Sequence, residues 1–217
     1  MMKDIDTIKD LVDYTRLLYD RHLVHAEGGN TSIRIGNDVW ITRTGAVLGR
    51  VTESDFTRLS LSGDVIAGEK PSKEFPMHLS FYKARPDVKA VIHIHPTYSI
   101  AYSTLLAEPC LDAVPAYSSA LYRRAGQVPM IAYYPVGSKE LHQAIEKLTP
   151  YFYSILMRQH GLTVATNNLS DALGIVEEIE QCCHIALLTN QKGYPITSEE
   201  KIEIDKLQGR SWPKSLN

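Results

Sequence analysis

The segment V-K-A-V-I-H-I-H, residues 88–95, carries the clearest chemical signal in the chain. It is short, apolar and rich in β-branched residues, the pattern of a buried strand. Alternate residues of a strand share a face, so His93 and His95 project side by side while Ile92 and Ile94 point the other way. Two parallel imidazoles are half of a metal site, because a divalent ion such as zinc takes His nitrogens and needs three or four ligands. The best further donor is His160, in R-Q-H-G at 158–161, after the apolar run Tyr153 to Met157 and before a glycine suited to a tight turn. One coordination position would stay open for catalysis. Glu74 opens a helix expected to run to about Lys83 and supplies an acidic group to the same set. The plain alternative is a pair of satisfied core or surface histidines. His22, His25, His142 and His184 show no comparable pairing. His78 lies four residues after Glu74 on the same helical face, either as a partner of the site or as a packing residue.

Three further stretches have the composition of oxyanion-binding loops: Gly29-Asn30-Thr31-Ser32, Thr44-Gly45 and Ser72-Lys73. Each offers backbone N–H groups with hydroxyls or an amide, and Lys73 adds a cation where a helix N-terminus already favours an anion. With a metal they would suit a small phosphorylated substrate. Each sequence is also a common turn, and no Walker loop or G-x-G-x-x-G fingerprint is present.

The elements that must position these residues read as follows. A helix is expected over 4–24, from Ile5, Ile8, Leu11, Val12, Leu17, Leu18 and Val24, followed by a loop at Gly28-Gly29-Asn30. A hairpin pairs 32–35 with 39–42, and a strand at 56–61 turns into another short strand. The histidine strand is followed by a helix over 98–106, and 137–147 forms another helix with Ser138 as cap. Strands at 153–157 and 162–166 flank His160, and Asn168 or Ser170 caps a long helix over 171–190. A helix-prone tail closes the chain, whereas the Pro- and Tyr-rich 108–135 segment takes no assignment. Hairpins with flanking helices point to one α/β domain with antiparallel pairing.

Composition narrows the classes. The 217 residues suit one domain with a sizeable core. The chain is 44% hydrophobic and 22% charged, with a net charge of −2, so it has neither the basic signature of a nucleic-acid binder nor a membrane-surface patch. The polar start MMKDIDTIKD carries no apolar signal segment, and Cys110, Cys182 and Cys183 read as reduced, buried thiols, which together predict a cytoplasmic protein.

The ordered set Gly29-Asn30-x-Ser32, Thr44-Gly45, Ser72-Lys73-Glu74, His93-x-His95 and His160-Gly161 resembles the class II aldolase/adducin family, over about residues 8–195. That resemblance implies a single three-layer α/β/α domain with a largely antiparallel central sheet, spanning the chain with a helical tail. It implies a homotetramer with sites between subunits, and one divalent metal per chain, zinc foremost and manganese or cobalt as alternatives, on His93, His95 and His160. Glu74 is the implied acid/base, and Asn30, Thr44, Gly45 and Ser72 match phosphate-contact positions. Two departures stand out. Lys73 replaces the second serine of the aldolases, and six residues before Ala125-Gly126, where they carry a proton-donating tyrosine contributed by a neighbouring subunit, stands Ala120, with Tyr117 and Tyr122 out of step. The S-K-E form, Leu48-Gly49-Arg50 and the 122–138 segment are more similar to the 3-oxo-tetronate 4-phosphate decarboxylase branch.

Retro-aldol cleavage and β-keto-acid decarboxylation share one hard step: electrons are left on a carbon next to a carbonyl. A metal acting as Lewis acid stabilises that charge, and Glu74 would move the proton. Loss of CO2 needs no base for a distant alcohol and tolerates a missing tyrosine. The expectation is therefore decarboxylation of 3-oxo-tetronate 4-phosphate to dihydroxyacetone phosphate. The alternatives are an aldolase acting on L-fuculose 1-phosphate or a related ketose phosphate, and a non-catalytic adducin-like interaction module.

Overall fold

The computed structural model describes residues 6–215. Helix α1 (Ile8–Asp20) starts at Thr7, whose hydroxyl accepts from the Asp10 N–H while the Asp10 carboxylate accepts from the Thr7 N–H. It stops earlier than the apolar spacing suggests, because His22 takes a positive φ of 58°. Ile5, counted in that spacing, lies outside the described residues.

Strand β1 (Gly29–Ile35) turns through Gly36 into β2 (Asp38–Thr42), and β3 (Phe56–Ser60) and β4 (Val65–Ala67) extend the meander. Helix α2 (Phe75–Ala84), with Pro76 in its first turn where no N–H is needed, leads to the histidine strand β5 (Ala90–Ile94). Helix α3 (Thr97–Ser103) follows. The unassigned segment contains α4 (Ser119–Ala125), capped by Ser118, and the two-residue strand β6 (Met130–Ile131). Helix α5 (Lys139–Glu146) is capped by Ser138 as expected, β7 (Ser154–Met157) and β8 (Gly161–Thr166) flank His160, and Asn168 caps α6 (Leu169–Leu188).

Among the described residues these strands form one sheet in the order β4-β3-β2-β1-β5-β8-β7-β6, antiparallel except for the β6–β7 edge pair. Strand alternation sorts the side chains into two cores. Ile33, Ala90, Ile92, Ile94, Leu162 and Val164 pack under α1, α3, α4 and α6. Val39, Ile41, Leu59, Val91, Ile155 and Ala165 pack on the other face under α2 and α5. The result is the expected three-layer α/β/α arrangement. Cys182 and Cys183 are buried free thiols, while Cys110 is only half-buried at the irregular bridge to β6.

The C-terminal helix α7 (Ser198–Gln208) contributes no fully buried residue, yet it is tied down at several points. Asp205 accepts from the Tyr122 hydroxyl at 2.9 Å and from the Trp212 indole at 2.8 Å. Arg210 donates to the carbonyls of Tyr122, Arg123 and Arg124, completing the end of α4, and Trp212 stacks on Phe152. No helix of the described residues is long and apolar enough to cross a membrane.

The β1–β5 pairing depends on Gly29, which has a φ of +121° and faces Ile94. A Cβ there would lie 2.5 Å from the His93 carbonyl oxygen. Gly29→Ala is expected to destabilise the protein by about 2–4 kcal/mol, from backbone strain plus the displaced strand, measured by urea unfolding. An unchanged midpoint would show that the pairing tolerates a side chain.

Candidate active site

The central strands place the site. In the β1–β5–β8 register, Asn30 pairs with His93 and His93 with Thr163, so these three form one row across the sheet on the α2 face. His95 follows at the end of β5, and His160 sits in the β7–β8 connection. There Gln159 takes the positive φ of 55° and donates its N–H to Ser103 Oγ at 2.9 Å. The sharp turn therefore falls at Gln159 rather than at Gly161. Gly161 is needed for a different reason: a Cβ there would meet the Ile94 carbonyl oxygen at 2.4 Å and the His95 ring at 2.7 Å. Gly28 likewise leaves room for the other side of the His95 ring.

Glu74 ends the loop that enters α2, and the residue is only 6% exposed. Its Oε2 lies 3.2 Å from His93 Nε2, and its Oε1 lies 3.4 Å from His160 Nε2 in an alignment too poor for a hydrogen bond. His93 and His95 bring their Nε2 atoms to 3.1 Å, and one ligand atom from each of Glu74, His93, His95 and His160 lies within 4.8 Å of all the others. The tautomer of His93 follows from its surroundings. Thr163 donates its hydroxyl to the Met77 sulfur, so its oxygen and the Leu162 carbonyl both accept from His93 Nδ1. The Nε2 of His93 is then a lone pair facing a carboxylate and a second imidazole. Such converging acceptors require a shared positive charge, from a proton or a metal cation. Both ring nitrogens of His160 and Oε1 of Glu74 are buried without hydrogen-bond partners, which also fits a cation held at their centre. The donor set, imidazoles with one carboxylate, suits zinc and neighbouring divalent transition metals.

Electrostatics agree with that picture. Burial pushes the Glu74 carboxyl upward, but the neighbouring His93 and the contacts with His160 and His93 outweigh it and hold the group well below the usual carboxylate range. Burial, then the neighbouring His93 and His160, lower His95 to about 3, so it remains a neutral ligand-type imidazole.

The remaining residues selected from the sequence fall into two places. Arg43 bridges Pro71, and the Thr44 hydroxyl donates to the Pro71 carbonyl at 2.7 Å, so Thr44-Gly45 and Ser72-Lys73 lie against one another. Thr44, Gly45 and Lys73 are exposed, and Lys73 makes no ion pair among the described residues. Ser72 Oγ accepts from the Glu74 N–H at 3.3 Å, tying this solvent-facing edge to the carboxylate. Asn30 is placed differently. It belongs to β1 rather than to a loop, is 3% exposed, and points both heteroatoms inward: Nδ2 to Glu74 Oε2 at 2.9 Å and Oδ1 to His78 at 2.5 Å. His78 is thus a partner of the site rather than a packing residue, and only its one-turn spacing from Glu74 hinted at this. Neither neighbouring tyrosine stands in for the expected proton donor within the chain. Tyr122 is bonded to Asp205, and the Tyr117 ring packs against Gly193.

The family model described as "Class II Aldolase and Adducin N-terminal domain" matches residues 9–187. A 3-oxo-tetronate 4-phosphate decarboxylase of Pectobacterium atrosepticum is 32% identical over 197 residues, 90% of each chain. An L-fuculose phosphate aldolase of Methanococcus maripaludis is 32% identical over 183 residues, 84% of this chain and 97% of the relative. Among solved structures, YgbL from Escherichia coli superposes with a TM-score of 0.86 at 25% identity, covering 91% of this chain and 96% of that one.

Burial, then the neighbouring His93, lowers His78 to about 3, far below its value in an unfolded chain. The unfolded state therefore binds the extra proton first as pH falls. The contribution of His78 is complete above about pH 6.5 and lost progressively as pH drops from there toward 3, at up to about 1.4 kcal/mol per unit. His78→Gln removes this titration, so its stability should fall less steeply than that of the unmodified protein over the same range in urea-unfolding series. Equal slopes would place the proton elsewhere.

Proposed function

The chain belongs to the class II aldolase and adducin family and is a lyase of that family, and from that premise we propose that it decarboxylates 3-oxo-tetronate 4-phosphate to dihydroxyacetone phosphate and CO2. In this reading His93, His95 and His160 hold one divalent ion, zinc before manganese or cobalt. When bound, that ion supplies a Lewis acid for the developing negative charge on the substrate oxygens. The chain's own residues do the rest. The bond between the carboxylate carbon and its neighbour breaks, its electron pair moves toward the carbonyl, and Glu74 delivers a proton to the carbon that has lost CO2. Glu74 is ionised at rest, so the proton it passes on is first taken up from solvent; it is suited to that relay because it is buried, preoriented by Asn30 and placed directly against the histidines.

The observation that carries the choice of reaction is Lys73. It is exposed, free of ion pairs among the described residues, and immediately precedes the buried carboxylate. A substrate with both a carboxylate and a phosphate presents two anionic groups near one site. The Thr44-Gly45 and Ser72 edge suits the phosphate, and Lys73 supplies a cation for the second anion. The aldolase reading remains the second choice, because relatives of equal identity bear that name. Against it, Ala120 stands six residues before Ala125-Gly126, where the aldolases carry their acidic tyrosine.

The purified protein should release CO2 from 3-oxo-tetronate 4-phosphate faster than it releases aldehyde from L-fuculose 1-phosphate, when both are assayed in parallel. The reverse order returns the aldolase to first place. Lys73→Ser should lower kcat/KM for the 3-oxo acid by roughly 10-fold or more with bound metal unchanged, and an unaltered value removes Lys73 from the site.

Glu74→Gln keeps the shape and the contact with Asn30 but cannot exchange a proton. Turnover should fall by roughly 10²–10⁴, while metal content, read by inductively coupled plasma mass spectrometry, is retained. Undiminished turnover would make Glu74 a structural residue of the α2 entry.

A further inference from the structure

Behind Glu74 runs a chain of buried hydrogen bonds whose direction can be derived. His78 lies one turn after Glu74 on α2, and its ring sits between Asn30 and Ser32, which share one face of β1. Ser32 Oγ lies 2.7 Å from His78 Nδ1 and 2.7 Å from the Tyr82 hydroxyl, and His78 Nε2 lies 2.5 Å from Asn30 Oδ1. Asn30 Nδ2 then reaches Glu74 Oε2 at 2.9 Å.

A carboxylate oxygen accepts, so the Asn30 amide must present its N–H₂ to Glu74 and its carbonyl oxygen to His78. A carbonyl oxygen also accepts, so His78 Nε2 carries the hydrogen. Burial keeps the ring neutral, which leaves Nδ1 as a lone pair accepting from the Ser32 hydroxyl. Ser32 in turn accepts from Tyr82. Every bond therefore donates toward Glu74. The opposite amide orientation would set the Asn30 oxygen against the Glu74 carboxylate, two acceptors face to face between buried residues.

The two Glu74 oxygens are consequently unlike. Oε2 is engaged by Asn30, whereas Oε1 is buried with no hydrogen-bond partner and faces His160. We propose that His78 is a positioning residue: acting through Asn30 it clamps Oε2 of Glu74 and leaves Oε1 as the oxygen that gives and takes the proton. The network holds rather than conducts. Tyr82, Ser32 and His78 are all at most 1% exposed, so its far end meets no solvent from which a proton could enter. The inference rests on the reading of Glu74 as acid/base, and it assigns that role to one oxygen and names the residue that enforces it.

Two measurements decide it. In ¹⁵N-histidine-labelled full-length protein, His78, assigned by the signal lost in His78→Gln, should be the Nε2–H tautomer from pH 6 to 8. An Nδ1–H ring, or a mixture of the two forms, overturns the direction of the network and with it the proposal. Second, His78→Leu fills the space but offers no donor, whereas His78→Gln carries an amide N–H₂ in the region of Nε2. On whichever substrate the unmodified protein turns over, His78→Leu should lose roughly 10- to 100-fold in kcat, with KM and bound metal nearly unchanged. His78→Gln should recover most of that loss. A Leu variant as fast as the unmodified protein, or a Gln variant as slow as Leu at equal metal content and Tm, overturns the proposal. If the unmodified protein acts on neither candidate substrate, the proposed function has failed, while the tautomer still tests the clamp. The tautomer also stands as the test should the Leu variant not fold.

Discussion

The register of three antiparallel strands is the constraint on which the rest of the molecule depends. Asn30, His93 and Thr163 face one another across β1, β5 and β8, and a slip of one residue would turn His93 into the opposite core. Two glycines protect that register by close approach. Gly29 lets β1 lie against the His93 carbonyl, and Gly161 lets β8 lie against Ile94 and the His95 ring. The isoleucines between the histidines matter as much as the histidines. Ile92 and Ile94 are fully buried in the core under α6, and their burial holds the strand in the orientation that turns both imidazoles to the other side.

The site joins two environments with opposite demands. On the protein side, Asn30, His78, Ser32 and Tyr82 are fully enclosed and mutually satisfied, which fixes geometry at the expense of adaptability. On the solvent side, Thr44, Gly45 and Lys73 are exposed on a double loop joined at the Arg43–Pro71 bridge. Glu74 stands at the boundary, linked to the first group through Asn30 and to the second through Ser72. A substitution at position 73 would therefore change the exposed edge without removing any contact of the Glu74 side chain.

Much of this was legible in the sequence where the signal is local. The His-x-His alternation, the Gly36 hairpin, the Ser138 and Asn168 caps and the apolar face of α6 each follow from residues near one another in the chain, and each is present. What escaped depends on partners far apart. Asn30 reads as a loop residue because glycines precede it, and only pairing with β5 makes it a strand. His78 acquires its role from Asn30 and Ser32, nearly fifty residues earlier. The 108–135 segment resisted assignment because α4 has only seven residues and β6 only two, its strand defined by a parallel pairing with β7. The phosphate-contact positions came from the family resemblance, and the chain itself brings Thr44, Gly45, Ser72 and Lys73 to one edge while turning Asn30 inward.

The C-terminal segment reaches round one end of the sheet and touches both cores. Ile196 and Ile204 pack against the α6 side, whereas Trp212 packs against the α5 side through Phe152. Between them, Arg210 closes the carbonyl end of α4, and Asp205 accepts from the Tyr122 hydroxyl. The family model stops at residue 187, short of the physical unit that folds. The described residues beyond that point act as a strap, and trimming at that boundary would sever it while leaving every matched motif in place.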